Sequence, residues 1–225
     1  MTKGKQEMDT QTLNKVLTLL QKEVINWNVP IVTQISQRTR DPFRVLISTM
    51  LSLRTKDEVT TVSSRRLFDK AKTPQTMLKL TSRQIQKLIY PVGFYKTKSE
   101  NIRRVCRILI EQYGGRVPDD LDELLKFPGV GRKTANLVLT LGFGIPGVCV
   151  DTHVHRISNR LGYVQTKTPE QTEMALREKL PKKWWIPVND IFVAFGQSLC
   201  KPISPWCSRC SVEQLCEKNN VGRHR

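Results

Sequence analysis

The sequence predicts an all-α protein built as two lobes, and three observations carry that expectation. Between Lys98 and Tyr113 the apolar positions Ile102, Val105, Cys106, Leu109, Ile110 and Tyr113 recur with the spacing of one helical face. No stretch of the chain alternates apolar and polar residues as a half-buried strand does. The connections are short and carry Gly, Pro or Asp, which suits helix packing. In chain order, Met1–Thr10 is polar and reads as loose, and helical segments follow over Thr12–Asn26, Asp41–Leu53, Asp57–Ala71 and Thr81–Ile89. Ser99 is placed to contribute to the N-terminal cap of the striped helix over Lys98–Tyr113, and Gly114-Gly115 ends it, because glycine takes the left-handed conformation that closes a helix. Leu121–Lys126, Arg132–Leu141, Thr152–Leu161 and Pro169–Leu180 complete the set. Gly142–Gly147 (GFGIPG) is the densest Gly/Pro stretch and marks the expected boundary between lobes.

Composition narrows the partners. The 225 residues contain 37 Lys and Arg against 20 Asp and Glu, a net charge of +17, with 39% apolar residues. That is enough apolar material for a core and excludes a disordered or collagen-like chain. No apolar run approaches the roughly 18 residues of a membrane span, and Met1–Asp9 lacks the apolar core of a signal peptide. A soluble, monomeric, cytoplasmic protein with no membrane partner is therefore expected. In such a reducing compartment the six cysteines read as thiols or metal ligands. The charge points to a polyanion, most simply nucleic acid, without separating DNA from RNA or anionic lipid.

The most informative segment is Leu121–Phe127, a short helix running into Pro128-Gly129-Val130-Gly131, after which Arg132-Lys133-Thr134-Ala135-Asn136 opens the next helix. Glycines at 129 and 131 allow positive φ and leave backbone N–H groups uncovered at a helix N-terminus, where the dipole favours an anion such as a DNA phosphate. An ordinary helical hairpin with Gly turns is the alternative. FPGVGRKTAN resembles the helix-hairpin-helix signature of the endonuclease III family of DNA glycosylases, in which the lysine two residues after the second Gly is the nucleophile. That resemblance maps the nucleophile to Lys133 and DNA contacts to Gly129, Val130, Gly131 and Arg132. Eighteen residues after Lys133, Val150-Asp151-Thr152-His153 is similar to the family's VDTH motif, mapping the catalytic carboxylate to Asp151. Taken alone, Lys133 reads as a surface lysine and Asp151 as the N-cap of a helix starting at Thr152. The two motifs at the family's separation favour the catalytic reading.

The chemistry explains the residue types. An amine can attack C1′ of a damaged nucleotide, expel the base and form an imine, which a hydroxyl cannot. An ordinary lysine is almost wholly protonated at neutral pH, so such an attack needs surroundings that favour the neutral amine. A carboxylate stabilises the oxocarbenium-like charge on the sugar or helps deprotonate the amine. The imine then acidifies C2′ and permits β-elimination of the 3′ phosphate. By resemblance, lysine at this position implies a combined glycosylase and AP lyase acting on oxidised or ring-saturated pyrimidines and abasic sites in double-stranded DNA.

A base inside a duplex must be extruded and its gap filled. Leu51–Asp57 (LSLRTKD) resembles the family's LSxQxTD segment, with Arg54 where a gap-filling Gln usually sits and Lys56 where Thr is common. Arginine presents donors only, so the preferred opposite base is open. Val92-Gly93-Phe94-Tyr95 is similar to the family's (I/V)G(L/F)Y loop and makes Phe94 the wedge, with a core aromatic as the alternative. Lys98 and Asn101 read as the polar side of the following helix, Lys98 as a phosphate contact, His153 as a pocket or phosphate contact, and His155 as a bystander.

Cys200, Cys207, Cys210 and Cys216 form C-x6-C-x2-C-x5-C. By resemblance this spacing holds a [4Fe–4S] cluster; a four-cysteine zinc site is the rival, although zinc ribbons usually separate two CxxC pairs widely. Cys106 and Cys149 read as core thiols. Lys201 is the main phosphate contact expected on the cluster loop, which carries fewer basic residues than in relatives, so the hairpin, Lys56 and Lys98 are expected to dominate the salt dependence of binding. The resemblance implies a six-helix domain over 35–145, with the helix-hairpin-helix at about 121–141, and a second helical domain of 1–34 plus 146–225 with the cluster loop at 200–216. DNA would lie in the cleft between them, with Lys133 and Asp151 on opposite lips. The expected setting is a prokaryotic cytoplasm. Two other readings stay open: a mismatch glycosylase removing T or U opposite G, and a non-catalytic DNA-binding module.

Overall fold

The computed structural model describes residues 7–24, 27, 31–39 and 41–225, and among these every regular element is helical. The contacts divide the chain into two compact units, one of Ile31–Gly147 and one of Met1–Pro30 with Val148–Arg225. No helix of the described residues is long and apolar enough to cross a membrane. Part of the expected loose start, Met1–Gln6, and the expected end of the first helix, Ile25 and Asn26, lie outside the described residues.

The unit of residues 31–147 holds α2 (Ile31–Thr39), α3 (Pro42–Ser52), α4 (Asp57–Lys70), α5 (Pro74–Leu78), α6 (Ser82–Ile89), α7 (Tyr95–Tyr113), α8 (Leu121–Leu125) and α9 (Arg132–Leu137). Helix α3 is its centre. Asp41 caps it by accepting from the Phe43 and Arg44 N–H groups, Pro42 takes the first turn, and Val45, Leu46, Ile47 and Leu51 are wholly buried. A helix covered on all sides must be packed by its neighbours, and α2, α4, α7 and α9 do so. Thr73 with Thr76, and Thr81 with Gln84, form reciprocal capping boxes on α5 and α6.

Helix α7 carries the stripe read from the sequence, with Ile102, Val105, Cys106 and Leu109 buried, and the Gly115 N–H closes it on the Leu109 carbonyl after Gly114 turns left-handed. Its start differs from expectation. The helix begins at Tyr95, Phe94 occupies the cap position, and the Ser99 hydroxyl donates to the Lys96 carbonyl inside the first turns, where it cannot cap. Helix α9 also departs from a plain α-helix, because Val138–Phe143 continues it as a π-helical turn that seats Gly142 against Pro42 of α3.

The other unit holds α1 (Thr10–Val24), α10 (Thr152–Leu161), α11 (Pro169–Lys179) and α12 (Pro187–Ser198), followed by two 3₁₀ turns at Cys207–Arg209 and Glu213–Leu215. Leu13, Val16, Leu17 and Leu20 of α1 pack with Val154, Ile157 and Leu161 of α10 and with Val188, Ile191 and Phe192 of α12. Met8 is buried and its N–H donates to the Gly162 carbonyl, so the chain just before α1 is anchored where looseness was expected. Cys106 and Cys149 are core thiols, and burial pushes the Cys106 thiol up to about 12.

Candidate functional site

The hairpin is built from the residues that suggested it. Asp120 caps α8 by accepting from the Asp122 and Glu123 N–H groups, and the chain turns over Phe127–Val130, where the Val130 N–H donates to the Phe127 carbonyl. Gly129 is left-handed at φ 80°, and a Cβ there would meet Asn101 Nδ2 at 2.8 Å, so the turn needs glycine twice over. Gly131 differs from expectation: its φ is −102°, which any residue adopts, and a Cβ there would meet nothing within 4 Å. Its use is openness at the start of α9. The Val130 side chain is buried and anchors the turn in the core, so its backbone is what a ligand could meet. Arg132 and Lys133 are half-buried in the first turn of α9. Asn136, one helical turn further on, lies against Gly147, where a Cβ would sit 2.9 Å from its Oδ1.

Two loops of the same unit meet beside this turn. Arg54 and Phe94 both have left-handed backbones, at φ 53° and 56°, and the Arg54 guanidinium lies over the Phe94 ring at 5.6 Å from its centroid. Phe94 is 62% exposed, which removes the core-aromatic alternative. The Gly93 N–H donates to Thr55 Oγ1 at 3.1 Å, and a Cβ on Gly93 would stand 2.7 Å from the Arg54 carbonyl oxygen. Arg54, Phe94, Lys98, Asn101 and Gly129 line one pocket.

Lys98 is a correction. It is 8% exposed, and its ammonium donates to the carbonyls of Leu51 (2.8 Å) and Leu53 (2.6 Å), with Thr55 Oγ1 at 3.3 Å. A buried charge spent on backbone carbonyls is not a phosphate contact. Burial pushes this amine down to about 8. Lys56, at the cap position of α4, is exposed as expected.

In the other unit, Asp151 is the N-cap of α10. It is 8% exposed, and its Oδ1 accepts from the His153 and Val154 N–H groups at 2.8 and 2.9 Å. His153 Nδ1 lies 3.1 Å from Arg156 Nη2, and the ring packs on Gly196, which leaves no room for a Cβ. His155 Nδ1 pairs with the Thr172 hydroxyl at 2.6 Å, a packing role.

The four C-terminal cysteines line a single pocket with apolar walls that include Ile157, Phe195 and Trp206. Arg160 Nη1 donates to Cys200 Sγ at 3.4 Å, the Lys218 N–H lies 3.4 Å from Cys216 Sγ, and Arg160 also binds the Lys201 and Pro202 carbonyls at 2.7 Å each. Among the described residues no three His, Cys, Asp or Glu side chains converge on one point as the ligands of a single ion do. Four soft sulfur donors around one pocket, with cationic and N–H donors to two of them, suit a thiolate-held metal group, iron–sulfur or zinc. Lys201 is exposed. Sequence reading missed Arg225, which stacks on Trp206 at 4.5 Å opposite no local signal, because its backbone pairs with Pro205 and Ser208 after a return of the chain.

Comparison with known proteins is specific. Residues 47–182 match the HhH-GPD superfamily base excision DNA repair protein family. The chain is 54% identical over 182 residues to Endonuclease III of Thermotoga maritima, covering 81% of this chain and 85% of that protein. Plant and animal relatives are longer, and the chain spans 47 to 63% of their length. Among solved structures it is similar to a trapped Endonuclease III–DNA covalent intermediate, the estranged-adenine complex, at 35% identity and TM-score 0.84, covering 94% of this chain and 97% of that one. It is also similar to a thermostable thymine-DNA glycosylase at 26% identity and TM-score 0.80, covering 92% and 96%.

Proposed function

The chain belongs to the endonuclease III family of the HhH-GPD superfamily, and from that membership we propose a reaction and a role for each group. The enzyme is a bifunctional DNA glycosylase and AP lyase of base excision repair. Its substrates are oxidised or ring-saturated pyrimidines and abasic sites in double-stranded DNA, on which it acts as a monomer in a prokaryotic cytoplasm. The observation that carries the reading is the hairpin, with Gly129 held left-handed and Lys133 in the helical turn that follows.

Lys133 Nζ, as the neutral amine, attacks C1′ of the damaged nucleotide, and the bond from C1′ to the base breaks with its electron pair leaving on the base. The nitrogen gives up both of its protons, one to the departing base and one to O4′ as the sugar ring opens, and an imine joins Lys133 to C1′. Loss of a proton from C2′ then expels the 3′ phosphate, and water hydrolyses the imine to free the lysine. The Asp151 carboxylate stabilises positive charge developing on the sugar. Arg54 meets the orphaned base and Phe94 fills the gap, while exposed Lys56 and Lys201 and the hairpin backbone at Gly129, Val130 and Gly131 with Arg132 bind phosphates, and His153 orients the strand near Asp151. A panel of duplexes carrying thymine glycol, G·T, G·U or an abasic site tests the substrate class. Cleavage of thymine glycol and abasic duplexes is expected, and inert thymine glycol with active G·T would replace this reading by the mismatch glycosylase.

Phe94 gives a prediction that separates recognition from folding. Its ring is mostly exposed, so Phe94→Ala is expected to leave stability within about 0.5 kcal/mol. Losing a base–aromatic stack should weaken binding to damaged duplex by roughly tenfold, read by fluorescence anisotropy.

Cys200, Cys207, Cys210 and Cys216 would hold a [4Fe–4S] cluster, which when bound supplies a structural cross-link for loop 200–216. Protein purified without oxygen should contain about four iron and four sulfide per chain and be brown. A colourless protein with one zinc per chain would assign the pocket to the rival metal.

A further inference from the structure

We infer that Lys98 is a positioning residue for lesion recognition: its buried ammonium fastens the Leu51–Thr55 loop to the start of α7, so that Arg54 and Phe94 are held as one stacked unit before DNA arrives. The inference rests on the glycosylase and lyase reading above and deepens it.

A lysine is placed in a protein interior at a cost unless its charge is met. Here the acceptors are the carbonyls of Leu51 and Leu53, at the end of α3 where the helix dipole is negative. One ammonium therefore ties down the chain just before Arg54 at two carbonyls. The link continues through Thr55, whose hydroxyl lies 3.3 Å from Lys98 Nζ and accepts the Gly93 N–H at 3.1 Å. Gly93 in turn lies so close to the Arg54 carbonyl that no side chain fits between the loops. Arg54 and Phe94 both occupy left-handed backbone, which residues other than glycine keep only when their surroundings hold them there. Lys98, Thr55 and Gly93 are those surroundings, and the guanidinium stacked on the Phe94 ring is what they hold. Arginine and phenylalanine are thus presented as one rigid edge, and the loss of conformational freedom on binding is small.

The test compares kcat/KM on two duplexes, one whose abasic site faces a normal base and one whose abasic site faces a second abasic spacer. The second offers no orphaned base for Arg54 to meet. Lys98→Met keeps the aliphatic stem without the charge and is expected to lose roughly 30- to 100-fold on the first duplex but only about three- to tenfold on the second, where Phe94 alone still has a gap to fill, as recognition groups misplaced by about an ångström do. Thr55→Val, which keeps Lys98, should lose about three- to tenfold with the same selectivity. Equal activity of Lys98→Met and wild type on both duplexes, or an equal loss on both, would overturn the inference, the latter because a merely structural lysine lowers both alike. If Lys98→Met does not fold, Thr55→Val decides by the same criterion. A wild-type protein inert on both duplexes would instead overturn the glycosylase and lyase reading, and the inference with it.

Discussion

Lys133→Ala is expected to lose catalysed nicking of abasic duplex by three orders of magnitude or more, on the order of what removal of a covalent nucleophile costs other enzymes. The loss should appear in kcat and not in duplex affinity, because Gly129, Gly131 and Arg132 keep their places. Alanine is the best helix former, and Lys133 lies in the first turn of α9, so melting should shift by no more than a few degrees. Gel assays of nicking with calorimetry on the same preparation check both halves. Nicking retained within tenfold of wild type would remove Lys133 from the chemistry.

Asp151→Asn is the second large effect, and it separates two roles of one carboxylate. Asp151 caps α10 through Oδ1, a task asparagine performs about equally well. Asp151→Asn should therefore keep its melting temperature while base release falls by about 10² to 10³, the scale of a general base or a charge-stabilising group. Asp151→Ala should lose activity similarly and in addition about 0.5 to 2 kcal/mol of stability with the cap. If the two variants lose stability alike and Asp151→Asn keeps full activity, the residue is a cap and nothing more.

Much of the site was legible because its signals are local. The turn at Phe127–Val130 and the N-cap at Asp151 depend on residues within a few positions of one another, and Cys200, Cys207, Cys210 and Cys216 fall within one short C-terminal segment. Helix α12 was not legible. Of its residues Val188–Gly196 all but Asp190 are buried, so no continuous polar face gives the helical period away, and its Val, Ile and Phe content reads equally as a strand. Helix α2 is short and rich in β-branched residues, and α5 is a single turn kept by the Thr73 and Thr76 capping box. The burial of Lys98 did have a signal. It precedes Ile102 by four residues and so falls on the apolar stripe of α7, where a charged residue must find partners; those partners lie 47 and 45 residues away in sequence, beyond any local pattern. Arg225 on Trp206 is likewise a contact that only folding makes.

Covalent capture tests the central claim most directly. Wild-type protein is incubated with an abasic duplex in the presence of borohydride, which reduces an imine to a stable amine, and the cross-linked protein is digested and mapped by mass spectrometry. The predicted result is a sugar remnant on Lys133, with no cross-link for Lys133→Ala. A remnant on another amine, or a full yield of cross-link from Lys133→Ala, would contradict it.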